Sequence, residues 1–150
     1  MTKLSIRFGF LVLVLGGGIL IGLMTAPGEW YANLAKPIFN PPNWIFGPVW
    51  SVLYVLIAWI GWRQFEVDKR SVAMRLWWAQ LGLNFLWSPV FFVLQLPWVA
   101  LLIILALLSV IIAFIRNVSA SDRVATFAFL PYLAWVTFAS TLNLSISILN

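Results

Sequence analysis

The sequence predicts an all-α integral membrane protein, a five-transmembrane-helix bundle, and three observations predict it. Of the 150 residues 63% are apolar and 9% charged, where a soluble domain has about 45–50% and about a quarter. The charged residues cut the chain into uncharged runs of bilayer-crossing length, about 20 residues for about 30 Å of hydrocarbon. The Lys and Arg residues then gather in alternate loops, the signature of a chain threaded back and forth through a membrane.

The first span covers about 8–26, from Phe8 to Ala26, and closes at Pro27-Gly28. Lys3 and Arg7 ahead of it and Thr25-Ala26-Pro27 behind it also allow a secretory-signal reading. The run is long for a signal's apolar region, and Gly18, Gly22 and Ala26 form the small-residue seam of a packed membrane helix. That seam serves either a contact inside the bundle or a dimer. Residues 27–42 are polar and proline-bearing, too interrupted to span. Pro37, Pro41 and Pro42 stiffen the segment while Trp30, Tyr31, Leu34, Ile38 and Phe39 call for burial, which predicts a lid on the bundle's outer mouth. Glu29 and Lys36 are close enough in sequence to pair across it.

The second span runs over about 43–62 and the third over about 72–92. The uncharged run from Leu76 to Ile115 is too long for one crossing, so Gln95-Leu96-Pro97 marks a turn and the fourth span covers about 97–116. The fifth covers about 124–148. On this threading Lys3, Arg7, Arg63, Lys69, Arg70, Arg75, Arg116 and Arg123 share one side and Lys36 stands on the other. The basic side is cytoplasmic by the positive-inside rule. The N-terminus is then inside, the C-terminus outside, and a bacterial cell membrane the expected setting. No second domain or repeat is visible.

Cysteine and histidine are both absent. That excludes disulfides, thiolate or imidazole metal sites and Cys- or His-dependent nucleophile systems, so no cofactor and no metal is expected. The formal net charge of +5 is explained by loop topology, and nucleic acid is not an expected partner. Polar side chains inside the spans should face the bundle interior. On the third span Trp77, Gln80, Asn84, Trp87 and Phe91 recur at intervals of three and four and share one stripe. The amides there are either interhelical hydrogen bonders or the polar face of a pocket. Phe46, Trp50 and Tyr54 line one face of the second span, and Trp135, Ala139 and Asn143 one face of the fifth. Trp44, Trp59, Trp62, Trp77, Trp78 and Trp98 fall near span ends, where indoles anchor to the interface. Trp50, Trp87 and Trp135 lie deeper and are the expected walls of a flat, aromatic, uncharged site.

Three ordered blocks carry a resemblance. Trp30-Tyr31, Leu34, Lys36-Pro37, Pro41-Pro42, Trp44, Phe46 and Trp50 form the first. Trp78, Gln80-Leu81, Asn84, Trp87, Pro89 and Phe91-Phe92 form the second; Pro131-Tyr132-Leu133, Trp135, Phe138-Ala139 and Leu142-Asn143 form the third. Together they resemble the signature of the tryptophan-rich sensory protein or translocator protein (peripheral benzodiazepine receptor) family. The resemblance implies a five-helix membrane protein, commonly a homodimer, that binds porphyrins and related planar hydrophobic ligands within the lipid bilayer. Carried over by position, the ligand wall would comprise Trp30, Tyr31, Phe46, Trp50, Tyr54, Asn84, Trp87, Trp135 and Ala139. The implied role is a receptor or carrier in tetrapyrrole sensing, transport or scavenging. The alternative is a light-dependent porphyrin-degrading activity using the pocket tryptophans. The sterol motif of the animal members is incomplete here, because no Lys or Arg follows Tyr132.

Overall fold

The computed structural model describes residues 2–150. Among them six helices and no strand are present. α1 is Lys3–Met24, with a π-helical turn at Val12–Gly16. α2 is the short Glu29–Asn33. α3 is Phe46–Asp68, entered through a 3₁₀ turn at Asn43–Ile45. α4 is Val72–Ser88, continued by a π-helical turn at Pro89–Val93. α5 is Pro97–Val118 and α6 is Arg123–Leu149.

Four segments are long and apolar enough to cross a membrane: Lys3–Met24, Asn43–Asp68, Pro97–Val118 and Arg123–Leu149. α4 is not one of them, because Arg75, Gln80, Asn84 and three indoles dilute its apolar character. The helix count also departs from the expected five, since a sixth helix, α2, forms inside the lid segment.

Local chemistry sets the boundaries. α1 begins earlier than the apolar run because the Thr2 side chain accepts a hydrogen bond from the Ser5 N–H, satisfying a donor that a helix start leaves open. α3 runs past Trp62 to Asp68, and its last turns carry two ion pairs. Arg7 Nε donates to Glu66 Oε1 at 3.0 Å, tying α1 to α3. Arg63 Nε donates to Asp122 Oδ2 at 2.7 Å, tying α3 to the residue that caps α6. Ser71 caps α4 through the Met74 N–H. Between α4 and α5 the chain turns at Gln95, the one non-glycine residue with positive φ among those described (57°). Pro97 opens α5, where its missing N–H costs no helix bond.

The five long helices close into a ring: α1 packs on α3 and α4, α5 on α4 and α6, and α6 also on α3. Val14, Ile57, Ile60, Met74, Trp77, Ile104, Leu107, Ile111, Phe114, Phe129 and Val136 fill it. Leu23, Leu102, Phe127 and Ile148 are among many large apolar side chains left on the outside, the arrangement that hydrocarbon rather than water stabilises. The expected interfacial position of Trp77 is corrected: it is fully buried and donates from Nε1 to the Ile57 carbonyl at 2.9 Å. Its six-membered ring lies so close to Gly61 that any side chain there would overlap it.

Candidate functional site

A cavity of about 500 Å³ opens between α1, α3 and α4, beneath the lid segment. Its walls come from four places. α3 presents Phe46, Trp50 and Tyr54 at helical spacing, with Trp50 stacked on Tyr54 (centroids 5.4 Å apart, planes at 28°). α4 presents Asn84, Trp87 and Ser88, and its π-helical turn adds Phe92. The lid contributes Tyr31, buried beneath the mouth and set edge-on to Phe92 at 5.3 Å. α1 supplies Gly18, Ile21, Gly22 and Thr25.

The polar atoms on these walls are largely committed to the protein. The Tyr54 hydroxyl donates to Asn84 Oδ1 (3.2 Å), Asn84 Nδ2 donates to Tyr132 Oη (2.8 Å), and the Tyr132 hydroxyl donates to Gln80 Oε1 (2.8 Å). One chain of hydrogen bonds therefore runs from the cavity into the core. It ends at Gln80 Nε2, which is buried and has no partner among the described residues. Thr25 Oγ1 donates its single proton to the Ile21 carbonyl at 2.8 Å. In the 2.6 Å contact between Thr25 and Ser88, the serine is therefore the donor. Trp87 Nε1 donates to Asn143 Oδ1 at 3.0 Å, which fixes the indole against Phe91. No charged side chain lines the cavity.

The structure brings together six of the nine expected wall residues: Tyr31, Phe46, Trp50, Tyr54, Asn84 and Trp87. The other three lie elsewhere. Trp30 packs edge-on against Phe91 at 5.7 Å, behind the wall. Trp135 packs edge-on against Phe46 at 5.8 Å and faces a second, shallower depression lined by Pro48, Val52, Leu53, Pro131, Ala134 and Phe138; its indole N–H is buried with no hydrogen-bond partner among the described residues. Ala139 belongs to the ring's core. For Trp135 and Ala139 the physical reason is the order of the helices: α6 packs on α5 and α3 and does not reach the gap beside α1; Trp30 is drawn away by its packing on Phe91.

Sequence reasoning missed the wall that α1 contributes. Its signal is the Gly18-Gly22-Ala26 seam, whose spacing alone predicts packing. Gly18 does pack, since a Cβ there would overlap the Tyr54 ring; a Cβ on Gly22 would meet nothing within 4 Å, and both residues border the cavity.

The lid also departs from expectation at two points. Glu29 and Lys36 form no ion pair; Lys36 Nζ donates to the carbonyls of Ala32 and Leu34, both at 3.1 Å. Ile38 is fully exposed, because it occupies the first central position of a tight turn closed by the Asn40 N–H on the Pro37 carbonyl (3.0 Å). The lid is held to the far end of the chain, where Asn150 Oδ1 accepts from the Ala35 N–H (3.0 Å) and Asn150 Nδ2 donates to the Ala35 carbonyl (3.1 Å).

Apolar helices with an uncharged aromatic cavity among them define the class: a helical integral membrane protein with an internal cavity. Residues 10–149 match the TspO/MBR family, and the chain belongs to that family. It is 46% identical over 125 residues to the tryptophan-rich protein TspO of Archaeoglobus fulgidus, covering 81% of this chain and 80% of that protein. It is 36% identical over 129 residues to the tryptophan-rich sensory protein of Cereibacter sphaeroides (86% and 82%). Human translocator protein is 33% identical over 135 residues (84% and 79%).

Proposed function

We propose that the chain binds porphyrin-type tetrapyrroles and other large apolar ligands in the cavity between α1, α3 and α4, and that it serves as a membrane receptor or carrier in tetrapyrrole sensing, transport or scavenging. The observation that carries this reading is the wall itself. Rings of Tyr31, Phe46, Trp50, Tyr54, Trp87 and Phe92 surround about 500 Å³ with no ionisable group other than tyrosine. Such a wall suits a flat, conjugated, weakly hydrated molecule. Burying on the order of 300 Å² of ligand surface at about 25 cal/mol per Å² supplies about 7 kcal/mol before the costs of immobilisation. The names of two relatives, a sensory protein and a translocator protein, agree with a ligand-responsive or ligand-moving role.

Titrating purified protein with protoporphyrin while following tryptophan fluorescence tests the proposal. Trp50→Ala should weaken binding by about 1–3 kcal/mol, the scale of one lost aromatic contact with its buried area. Trp98→Ala, exposed in the first turn of α5 and outside the cavity wall, should leave affinity unchanged. Equal affinity in the parent and Trp50→Ala proteins counts against the site.

A second reading draws on two wall indoles, Trp50 stacked on Tyr54 and Trp87 stacked on Phe91, which lies behind the wall. These indoles stand where they could exchange electrons with a photoexcited ring, giving light-dependent porphyrin breakdown. Protoporphyrin recovered intact from dark and illuminated samples alike would dismiss it.

The five-span topology belongs to the same proposal, with α4 crossing the bilayer because Trp77, Gln80 and Asn84 are buried and α1, α3 and α5 flank it. With the basic loops cytoplasmic, a reporter fused after Asn150 should be active outside the cytoplasm, and cytoplasmic activity would reverse the orientation. A homodimer is the expected assembly. Gly18 is already occupied by Tyr54, so the dimer would use a face other than that seam, and the detergent-corrected particle mass distinguishes one copy from two.

A further inference from the structure

We propose that Lys36 is the anion-binding residue of the lid: its ammonium takes a carboxylate of the bound ligand at the mouth of the cavity, while the uncharged ring system lies inside. This rests on the cavity being the tetrapyrrole site.

The cavity wall holds no Lys, Arg, Asp or Glu, and an ionised carboxylate buried there without a counter-charge would be strongly disfavoured. An acidic ligand must therefore keep its carboxylates at an opening that offers positive charge. Among the described residues only one cationic side chain stands at the lid end. The other eight Lys and Arg residues lie in the first turns of α1, or at the ends and loops joining α3 to α4 and α5 to α6. Two of them, Arg7 and Arg63, are already paired with Glu66 and Asp122.

Lys36 is half-buried and has no acidic partner; the two ion pairs among the described residues do not include it. It does not line the cavity, but its Nζ lies 4.7 Å from the centroid of the Tyr31 ring, which does. Two of its three N–H groups are spent on the Ala32 and Leu34 carbonyls. The third has no partner among the described residues. The side chain is thus held beside the mouth by backbone bonds and a cation–π contact, with one donor and a full charge uncommitted. A carboxylate there would gain a charge-assisted hydrogen bond in a site only partly open to water.

The test compares protoporphyrin with its dimethyl ester, which keeps the ring and lacks the charges, on protein in nanodiscs of zwitterionic lipid at low salt. The parent should bind the diacid about tenfold more tightly than the ester. Lys36→Met, which keeps the aliphatic stem, should erase that preference while leaving ester affinity intact; Lys36→Arg should retain it. Raising the salt should narrow the gap in the parent and leave Lys36→Met unmoved. Equal affinities for diacid and ester in the parent, or an equal loss of both in Lys36→Met, overturn the assignment. If ester binding stays sensitive to Trp50→Ala in that case, the cavity survives as the ring site and the role of Lys36 alone falls. If the parent binds neither compound, both fall together.

Discussion

Gly61 is held to its identity by two rings. A Cβ at that position would collide with Trp77, which is itself fully buried and hydrogen-bonded to α3, and would stand 2.7 Å from Phe10. Neither ring has room to retreat, so Gly61→Ala should lower thermal stability in detergent by an amount corresponding to about 1–3 kcal/mol. Gly9→Ala, where a methyl group meets open space, should leave it unchanged or raise it slightly, and equal midpoints for the two variants would contradict the packing described. This is also the scale at which the sequence was most and least informative. The three-four spacing of Trp77, Gln80, Asn84, Trp87 and Phe91 identifies the inward stripe of α4, and four of the five are buried. Trp77 departs from the interfacial position that its place in the span predicts, because nearness to a span end says nothing about which way a side chain faces. Gln80 and Asn84 left two readings open, and the structure holds both: each is an interhelical hydrogen bonder, and Asn84 also borders the cavity.

Helix ends show how few polar groups hold the elements together. Asp122 caps α6 through the Ala125 N–H and accepts from Arg63 and Gln64. Burial tends to raise its pKa, but the hydrogen bonds from Arg63, Ala125 and Gln64 and the charge of Arg63 outweigh it, so the carboxyl lies below the ordinary aspartate value. A group whose folded-state pKa is depressed contributes stability above its unfolded value, and that contribution is lost as pH falls through the folded one. Acidification below about pH 4 should therefore destabilise the parent protein, and Asp122→Asn should be less stable at neutral pH with a flatter acid limb in thermal unfolding. A parallel acid limb in the variant would place the titrating group elsewhere. The long helices themselves were legible to within about six residues at each end, since hydrocarbon thickness dictates run length. The departures come from short-range chemistry: the Thr2 cap lengthens α1, the ion pairs accompany the extension of α3, and the lid condenses into α2.

Across the whole molecule, the ring order of the helices decides what the cavity contains. Residues 43–54 and 84–92 carry their part of the site in plain view, because two faces with aromatic spacing can be read before any packing is known. Trp135 and Ala139 satisfied the same spacing and lie elsewhere, since periodicity fixes a face of one helix but not the neighbour it meets. The contribution of α1 was hidden for the opposite reason: glycine has no side chain to mark a wall, and a wall made of backbone leaves space. Gly22 offers the most direct test that this space is the ligand site. It borders the cavity, a Cβ there meets nothing within 4 Å, and a larger residue is compatible with its helical backbone. Gly22→Phe should occupy the cavity without disturbing the packed ring, weakening protoporphyrin binding more than tenfold in a fluorescence titration while ligand-free thermal stability stays at or above that of the parent. Undiminished affinity in a folded Gly22→Phe protein would show that the ligand binds somewhere else.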